Sequence, residues 1–339
     1  MNPALETLLL PISRGDLTIS GPVLFLGAEP HPELRAWPDV TGWQAQRALA
    51  TAWERSGFKR VDVPSGRFPL VLVLPGKSRD ETLALFALAF DHLEDGGVML
   101  AAMPNTAGAA RFEKELASAA GEITSLQKHK CRAFYAVKSP AWNLPLIESW
   151  RQAGAVKPVE GTTCLAQAGI FSPQHIDPGS LLLTSHLPKS LHGAVADLGA
   201  GWGYLSLWAA THCPGIKRID LYEADSRALA LARENLAGVT ENARFIWHDI
   251  TTGLDEAYEH IIMNPPFHSG QTTNIALGAS FIRAAAKSLR RGGHLYLVAN
   301  QQLPYERELD AAGLVWRKAA ETPVFKLLFA TKRAVPPIR

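Results

Sequence analysis

Four short runs in the second half of the chain carry residue types able to do chemistry. The first is Asp197-Leu198-Gly199-Ala200-Gly201-Trp202-Gly203, which follows the apolar run Ala194-Val195-Ala196. Glycines at such a turn let the backbone double back and bring a ligand close to a strand end and the next helix. The acid precedes the first glycine, and no Lys-Ser or Lys-Thr pair follows. The turn is therefore neither the usual dinucleotide loop nor a phosphate loop. A carboxylate at Asp197 disfavours a diphosphate and favours the cationic end of a ligand, such as an amino acid. Ile219-Asp220-Leu221-Tyr222-Glu223 reads as a second strand ending in an acid, 26 residues after Asp197. Two carboxylate oxygens suit Glu223 to a pair of ribose hydroxyls. Phe245-Ile246-Trp247-His248-Asp249 reads as a third such strand, with Asp249 placed to reach an adenine amino group. Glu223 or Asp249 alone reads equally well as the cap of the next helix. Three acids at successive strand ends point to a nucleoside ligand.

The fourth run is Asn264-Pro265-Pro266-Phe267, after the apolar stretch Ile261-Ile262-Met263. Two prolines remove two backbone donors and stiffen the loop, leaving its carbonyl oxygens free. Asn264 adds a side-chain acceptor, and Phe267 adds a flat apolar face. The set suits a planar ring bearing an exocyclic amine. The ring stacks on Phe267 while the amine donates to Asn264 and to the Pro265 carbonyl. Alone, the same residues are a turn signal.

These runs need a scaffold of strands, and the chain supplies one twice. Leu70-Val71-Leu72-Val73-Leu74, a helical pattern over 82–93, Gly96-Gly97 and Val98–Met103 make one block. Ile261–Met263, a helical pattern over 275–289, Gly292-Gly293 and Leu295–Asn300 make a second. Val23–Leu26 opens the first half as Ala194–Leu198 opens the second. Apolar runs of strand length alternating with helices predict an α/β fold, a parallel sheet with helices on both faces in each half. The paired glycines are expected at the helix C-termini. The interruption by Pro158, Gly161 and two threonines places the boundary between Lys157 and Thr163, giving domains 1–160 and 161–339.

Composition excludes several classes. The chain has 339 residues, 47% apolar and 19% charged, with a net charge of +2. Two cores can be buried, and nucleic-acid contact must come from local patches. Cys131, Cys164 and Cys213 lie far apart with no metal-ligand spacing, so neither a disulfide framework nor a metal site is expected. The start of the chain lacks the basic segment of a signal peptide, and no apolar run is long enough to span a membrane. A soluble, cytoplasmic protein is expected, with no membrane partner. One basic cluster without intervening acids comprises Lys128, Lys130, Arg132 and Lys138. It reads either as solvated surface charge or as phosphate contacts.

The segment Asp197–Gly203 resembles the first motif of class I S-adenosylmethionine-dependent methyltransferases, and Asn264–Phe267 resembles the fourth motif of those that methylate amino nitrogens. The chain as a whole is similar to the bacterial ribosomal RNA guanine-N2 methyltransferases of the small-subunit methyltransferase C family. The similarity includes Gly169-Ile170-Phe171-Ser172, Asp177, Gly179-Ser180, Asn264-Pro265-Pro266-Phe267-His268-Ser269-Gly270, Val298-Ala299-Asn300, Leu303-Pro304-Tyr305 and Phe325-Lys326. It implies two tandem Rossmann-like methyltransferase domains, the first degenerate. In that half Gly27-Ala28-Glu29 replaces the glycine loop and Leu74-Pro75-Gly76-Lys77 replaces the amine acceptor.

The resemblance implies S-adenosylmethionine as cofactor, held by Asp197, Gly199, Gly201, Glu223, Asp249 and Asn264. It also implies catalysis by Asn264, Pro265 and Phe267. Phe171, Phe267, Lys128, Lys130 and Arg132 would contact substrate, and the partner would be ribosomal RNA or the small subunit. Close relatives often have an amide or other polar residue at the position of Asp249. A monomer is expected. His248 and His268 have no nucleophile to activate and are not expected to be catalytic. Other readings are methylation of a large-subunit guanine, another nucleobase or a protein glutamine, and a non-enzymatic RNA-binding assembly factor.

Overall fold

The computed structural model describes residues 2–266, 268–269, 272–273 and 275–334. The chain forms two compact units, one of Met1–Val156 with Gln167–Gly169 and one of Lys157–Ala166 with Ile170–Arg339.

The first unit runs α1 (Pro3–Ser13), β1 (Val23–Leu26), β2 (Val40–Trp43), α2 (Arg47–Arg55), β3 (Lys59–Val61), β4 (Phe68–Val73), α3 (Arg79–His92), β5 (Leu93–Pro104), α4 (Ala109–Ala120), β6 (Thr124–Lys128), β7 (Cys131–Val137) and α5 (Leu144–Ala153). Its seven strands lie in the order β3-β2-β1-β4-β5-β7-β6. Strands β1 to β5 are parallel, whereas β7 runs antiparallel to both β5 and β6. Strand β1 is buried throughout and β4 nearly so, as their uninterrupted apolar sequences require in a sheet covered on both faces.

The second unit runs β8 (Lys157–Pro158), β9 (Leu165–Ala166), α6 (Pro178–His186), β10 (His192–Leu198), α7 (Tyr204–His212), β11 (Gly215–Glu223), α8 (Ser226–Leu236), β12 (Ala243–Trp247), β13 (Tyr258–Met263), β14 (His268–Ser269), β15 (Thr272–Thr273), α9 (Ile275–Ser288), β16 (Leu289–Asn300), α10 (Tyr305–Ala311), β17 (Leu314–Glu321) and β18 (Phe325–Lys332). Its main sheet has the order β12-β11-β10-β13-β16-β18-β17. Counted within each seven-stranded sheet, both read 3-2-1-4-5-7-6, which is the tandem Rossmann-like arrangement implied by the resemblance. Strand β18 is antiparallel to β16 and β17, as β7 is to its neighbours.

Two expectations are corrected. The sheets are not wholly parallel: each ends in an antiparallel pair, since a short turn can join antiparallel neighbours and cannot make a crossover. The paired glycines do not cap helices. Helix α3 ends directly in β5 and α9 directly in β16, and the glycines lie inside the strands where the pairing register shifts. A Cβ on Gly97 would come within 3.0 Å of the carbonyl oxygens of Phe68 and Glu94, and one on Gly293 within 2.9 Å of that of Arg290. Glycine is needed there for close backbone approach at a bulge.

Candidate active site

The parallel register brings the chemical residues to one edge of the second unit's sheet. Leu198 is paired with Tyr222 on one side and Met263 on the other, so the glycine loop, Glu223 and Asn264 leave three adjacent strand ends. Glu223 in turn pairs with Trp247, two residues before Asp249. Ligands of open α/β sheets bind at such carboxyl ends.

The loop is held by its own backbone. The N–H groups of Gly199 and Ala200 both donate to the Tyr222 carbonyl, at 2.8 and 3.0 Å. Gly199, Gly201 and Gly203 have φ of 76°, 57° and 93°, values that side-chain-bearing residues avoid. Gly203 then caps α7 without a side-chain bond, leaving amide donors of the first turn for a ligand.

Asp197 is fully buried beneath this loop. Its Oδ2 accepts from Ser206 Oγ at 2.7 Å, while Oδ1 has no donor. Burial pushes its carboxyl up to about 7; the Ser206 bond partly offsets this, and the charge of Glu223 adds to the rise. Glu223 accepts from Gly201 N–H at 2.7 Å and from Asp225 N–H at 2.8 Å, one bond to each oxygen. Burial raises its carboxyl as well, with those N–H bonds pulling it back. Each oxygen keeps a lone pair for a further donor. Asp249 Oδ1 accepts from Thr251 N–H and Thr251 Oγ at 2.9 and 2.7 Å, so this acid caps a short 3-10 turn over 250–252.

A narrow cleft opens beside the loop, lined by Gly199–Trp202, Phe171, Ser172, Asp177, Ser180 and Asn264 among others. Asp197, Glu223 and Asp249 are not among its lining residues: the first lies a layer below, and the other two lie along the adjoining strand ends. Phe171 is 53% exposed and follows Gly169 in a tight turn. Ser172 holds a left-handed φ of 46° and its carbonyl accepts from Trp202 Nε1 at 3.1 Å, so the glycine-loop tryptophan pins the Phe171 segment.

Asn264 donates both amide hydrogens inward, to Asp177 Oδ2 at 2.8 Å and Ser180 Oγ at 2.9 Å. Pro265 is buried. Phe267 lies outside the described residues, as does the side chain of His268. His248 is bonded to the Gly253 carbonyl at 2.6 Å. No group of His, Cys, Asp and Glu able to hold a metal occurs among the described residues.

In the first unit, Lys128 and Lys130 are exposed, the first at the end of β6 and the second in the two-residue turn that joins β6 to β7. His129 and Lys130 both have left-handed φ, 54° and 57°, as this hairpin turn demands. Arg132 is ion-paired with Glu113. Lys138 donates to the carbonyls of Phe90 and Leu93. The four basic residues thus divide into two free tips and two groups committed within the fold.

Sequence reasoning assigned no role to Ser206, to the Trp202 pin or to the Asp177–Ser180 pair. Asp177-Pro178 before an apolar run is an N-cap signature, visible in the sequence.

The methyltransferase small domain family matches residues 161–328. The ribosomal RNA small subunit methyltransferase C of Psychromonas ingrahamii is 28% identical over 265 residues, covering 77% of this chain and 75% of that protein. The protein of the same name from Salmonella paratyphi B is 34% identical over 190 residues, 56% of this chain and just over half (54%) of the relative. The structure of the T. thermophilus 16S rRNA N2 guanine methyltransferase, solved with AdoMet and guanosine, superposes with a TM-score of 0.80 over 98% of this chain and 92% of that one, at 24% identity. The chain is thus similar to the ribosomal RNA small subunit methyltransferase C proteins. The residues matched by the methyltransferase small domain lie in the second unit, whose main sheet repeats the strand order of the first. Among the described residues, no helix is long and apolar enough to cross a membrane.

Proposed function

We propose that this chain transfers a methyl group from S-adenosylmethionine to the exocyclic N2 amine of a guanine in small-subunit ribosomal RNA. The observation that carries the reading is the amide of Asn264. Its NH2 is committed to Asp177 and Ser180, so only its carbonyl oxygen is left to meet a substrate amine at the cleft.

The site fits the cofactor. Asp197 Oδ1 is a buried acceptor without a donor, and a Cβ on Gly201 would meet nothing within 4 Å. Nothing in the fold's packing therefore requires the open space that Gly201 borders. Asp197 supplies negative charge under the loop for the cationic methionine end. Gly199 and Gly201 let the backbone approach the ligand. Glu223 has lone pairs for the ribose hydroxyls, and Asp249 Oδ2 is available to the adenine amine. The bound cofactor supplies an activated methyl group on a sulfonium leaving group.

The guanine amine is a poor nucleophile, because its lone pair is shared with the ring. Bonds from its hydrogens to Asn264 Oδ1 and the Pro265 carbonyl would orient the amine, leave its lone pair free to react and stabilise positive charge developing on nitrogen. The methylated ammonium is acidic enough to lose its proton to water. The target base must leave its stack, and Phe171 and Phe267 offer replacement faces. The degenerate first unit, residues 1–160, holds RNA and supports the catalytic unit, 161–339, with Lys128 and Lys130 as phosphate contacts. The enzyme works as a monomer in the cytoplasm.

The test is mapping of methylated guanines by mass spectrometry in 16S RNA and in small subunits from cells lacking the protein, before and after treatment with the purified chain and cofactor. A new N2-methylguanine supports the reading. Methylation that survives RNase digestion of the acceptor would assign the activity to a protein glutamine instead.

A further inference from the structure

The carboxylate of Asp177 sits at the N-cap of α6, where its Oδ2 accepts from the Ser180 N–H at 2.8 Å. The same oxygen accepts from Asn264 Nδ2 at 2.8 Å, and Ser180 Oγ takes a second bond from that nitrogen at 2.9 Å. A carboxylate can only accept, so the end of the Asn264 amide facing Asp177 must be its NH2. An inverted amide would set two oxygens against each other.

We propose that Asp177 and Ser180 are positioning residues that fix the direction of the Asn264 amide and so make the site selective for an amine. The proposal rests on the functional reading given above and deepens it. With the NH2 tied back, the substrate meets a pure acceptor, which suits an exocyclic amine and repels a carbonyl in the same place. Donating to a carboxylate also draws electron density through the amide and makes Oδ1 the stronger acceptor.

The anchor is rigid. Ser180 is 6% exposed, and a Cβ on the adjoining Gly179 would come within 3.1 Å of the Phe325 ring, so the first turn of α6 lies hard against β18. Farther along the helix, Thr184 Oγ meets Tyr204 OH at 3.2 Å. That bond ties α6 to the start of α7, the helix that leaves the glycine loop. One helix thereby sets both the amide and the cofactor loop.

The test compares wild type with Asp177→Asn, Ser180→Ala, Asn264→Ala and the double variant Asp177→Asn/Asn264→Ala. Asn caps helices as well as Asp does, so Asp177→Asn is expected to fold, and its new amide can meet Asn264 in either direction. The expected result is kcat at least tenfold lower on 16S RNA, with KM for RNA and the dissociation constant for S-adenosylmethionine within about twofold of wild type. Ser180→Ala is expected to lose severalfold in kcat. In the Asn264→Ala background Asp177→Asn is expected to cost nothing more, because the group it positions is gone.

Unchanged kcat in Asp177→Asn, or a full additional loss on top of Asn264→Ala, overturns the proposal. Should wild type fail to methylate guanine in any RNA, the functional reading falls by itself, and the orientation is still read from the side-chain amide protons of 15N-labelled Asn264. Exchange protection in wild type that is lost in Asp177→Asn and weakened in Ser180→Ala supports the proposal. Unprotected protons in wild type overturn it.

Discussion

Ser206 Oγ donates to one oxygen of Asp197 at 2.7 Å, and the other oxygen, buried under the glycine loop, meets no donor. Burial holds this carboxyl up to about 7, far above an exposed aspartate. A cationic ligand end favours the ionised form, so cofactor affinity should rise with pH and level off above about 7. Below that pH, binding should release up to one proton. Calorimetry in buffers of different ionisation enthalpy measures the proton count, and pH-independent affinity with no release contradicts the role of Asp197. Asp197→Asn should weaken binding and abolish the proton release. The sign for stability is opposite to the usual carboxylate. Between about 4 and 7 the native state binds the extra proton, so this group costs stability as pH rises through that window, by at most about 4 kcal/mol.

Gly201 and Gly203 should respond differently to alanine. A Cβ on Gly203 would lie 2.9 Å from Leu236 and 3.1 Å from Ala232, at φ of 93°. One on Gly201, at φ of 57°, meets nothing within 4 Å. Gly203→Ala should therefore lose about 3 kcal/mol of stability from clash and strain together. Gly201→Ala should lose about 1 kcal/mol yet reduce cofactor affinity tenfold or more, because its methyl enters the ligand's space. Denaturant unfolding and calorimetry on both variants check the contrast.

Asn264→Ala should act on the chemical step. Removing the acceptor proposed to meet the amine is expected to lower kcat by about 10²- to 10³-fold. Cofactor affinity should change less than threefold, since the glycine loop and Glu223 are untouched. Parallel losses in turnover and affinity would move Asn264 from the amine to the cofactor.

His260 is buried between His192, which it meets at 3.2 Å, and His294, whose ring stacks on it at 5.6 Å. Burial, reinforced by those two histidines, holds its pKa down to about 4, with Glu259 pulling slightly the other way. The unfolded chain binds a proton near 6.5 and the native state only near 4. Stability from this group is complete above 6.5 and falls as pH drops toward 4, by up to about 3 kcal/mol. Asp197 titrates with the opposite sign over much of the same range, so the raw profile mixes the two. The difference between wild type and His260→Phe isolates the histidine. Their unfolding free energies should converge, or cross in favour of the variant, as pH falls. Parallel profiles would show that His260 does not carry the effect.

The strands were readable because their apolar runs are uninterrupted, and nearly all of β1, β4 and β13 is buried as such runs demand. The edge strand β17 was not: Leu314–Glu321 mixes charged and apolar residues, and most of it is at least partly exposed. The glycine pairs were recognised but misplaced, because a helix end and a strand bulge both favour a positive φ and only the opposing carbonyls distinguish them. The placement of Glu223 and Asn264 at strand ends was legible from their spacing after apolar runs. The partner of Asn264 could not, since Asp177 lies 87 residues away and its sequence signature is that of a helix cap.

Charge-neutralising variants should divide the basic cluster of the first unit. Lys128 and Lys130 are exposed at the tip of the β6–β7 turn, held there by Thr7 Oγ donating to the Lys128 carbonyl and Asn105 N–H to that of Lys130. Replacing both lysines by Gln should weaken RNA binding and lower the slope of log affinity against log salt by about 1.5, as two phosphate contacts would. Arg132 is already paired with Glu113. Arg132→Gln should leave the salt slope unchanged and instead cost roughly 1 kcal/mol of stability by stripping Glu113 of its partner. Filter binding across a salt series, with denaturant unfolding of the same variants, separates these outcomes. An unchanged slope in the double lysine variant would remove the hairpin tip from the RNA interface, and a fall in slope for Arg132→Gln would mean that the ion pair opens to meet phosphate.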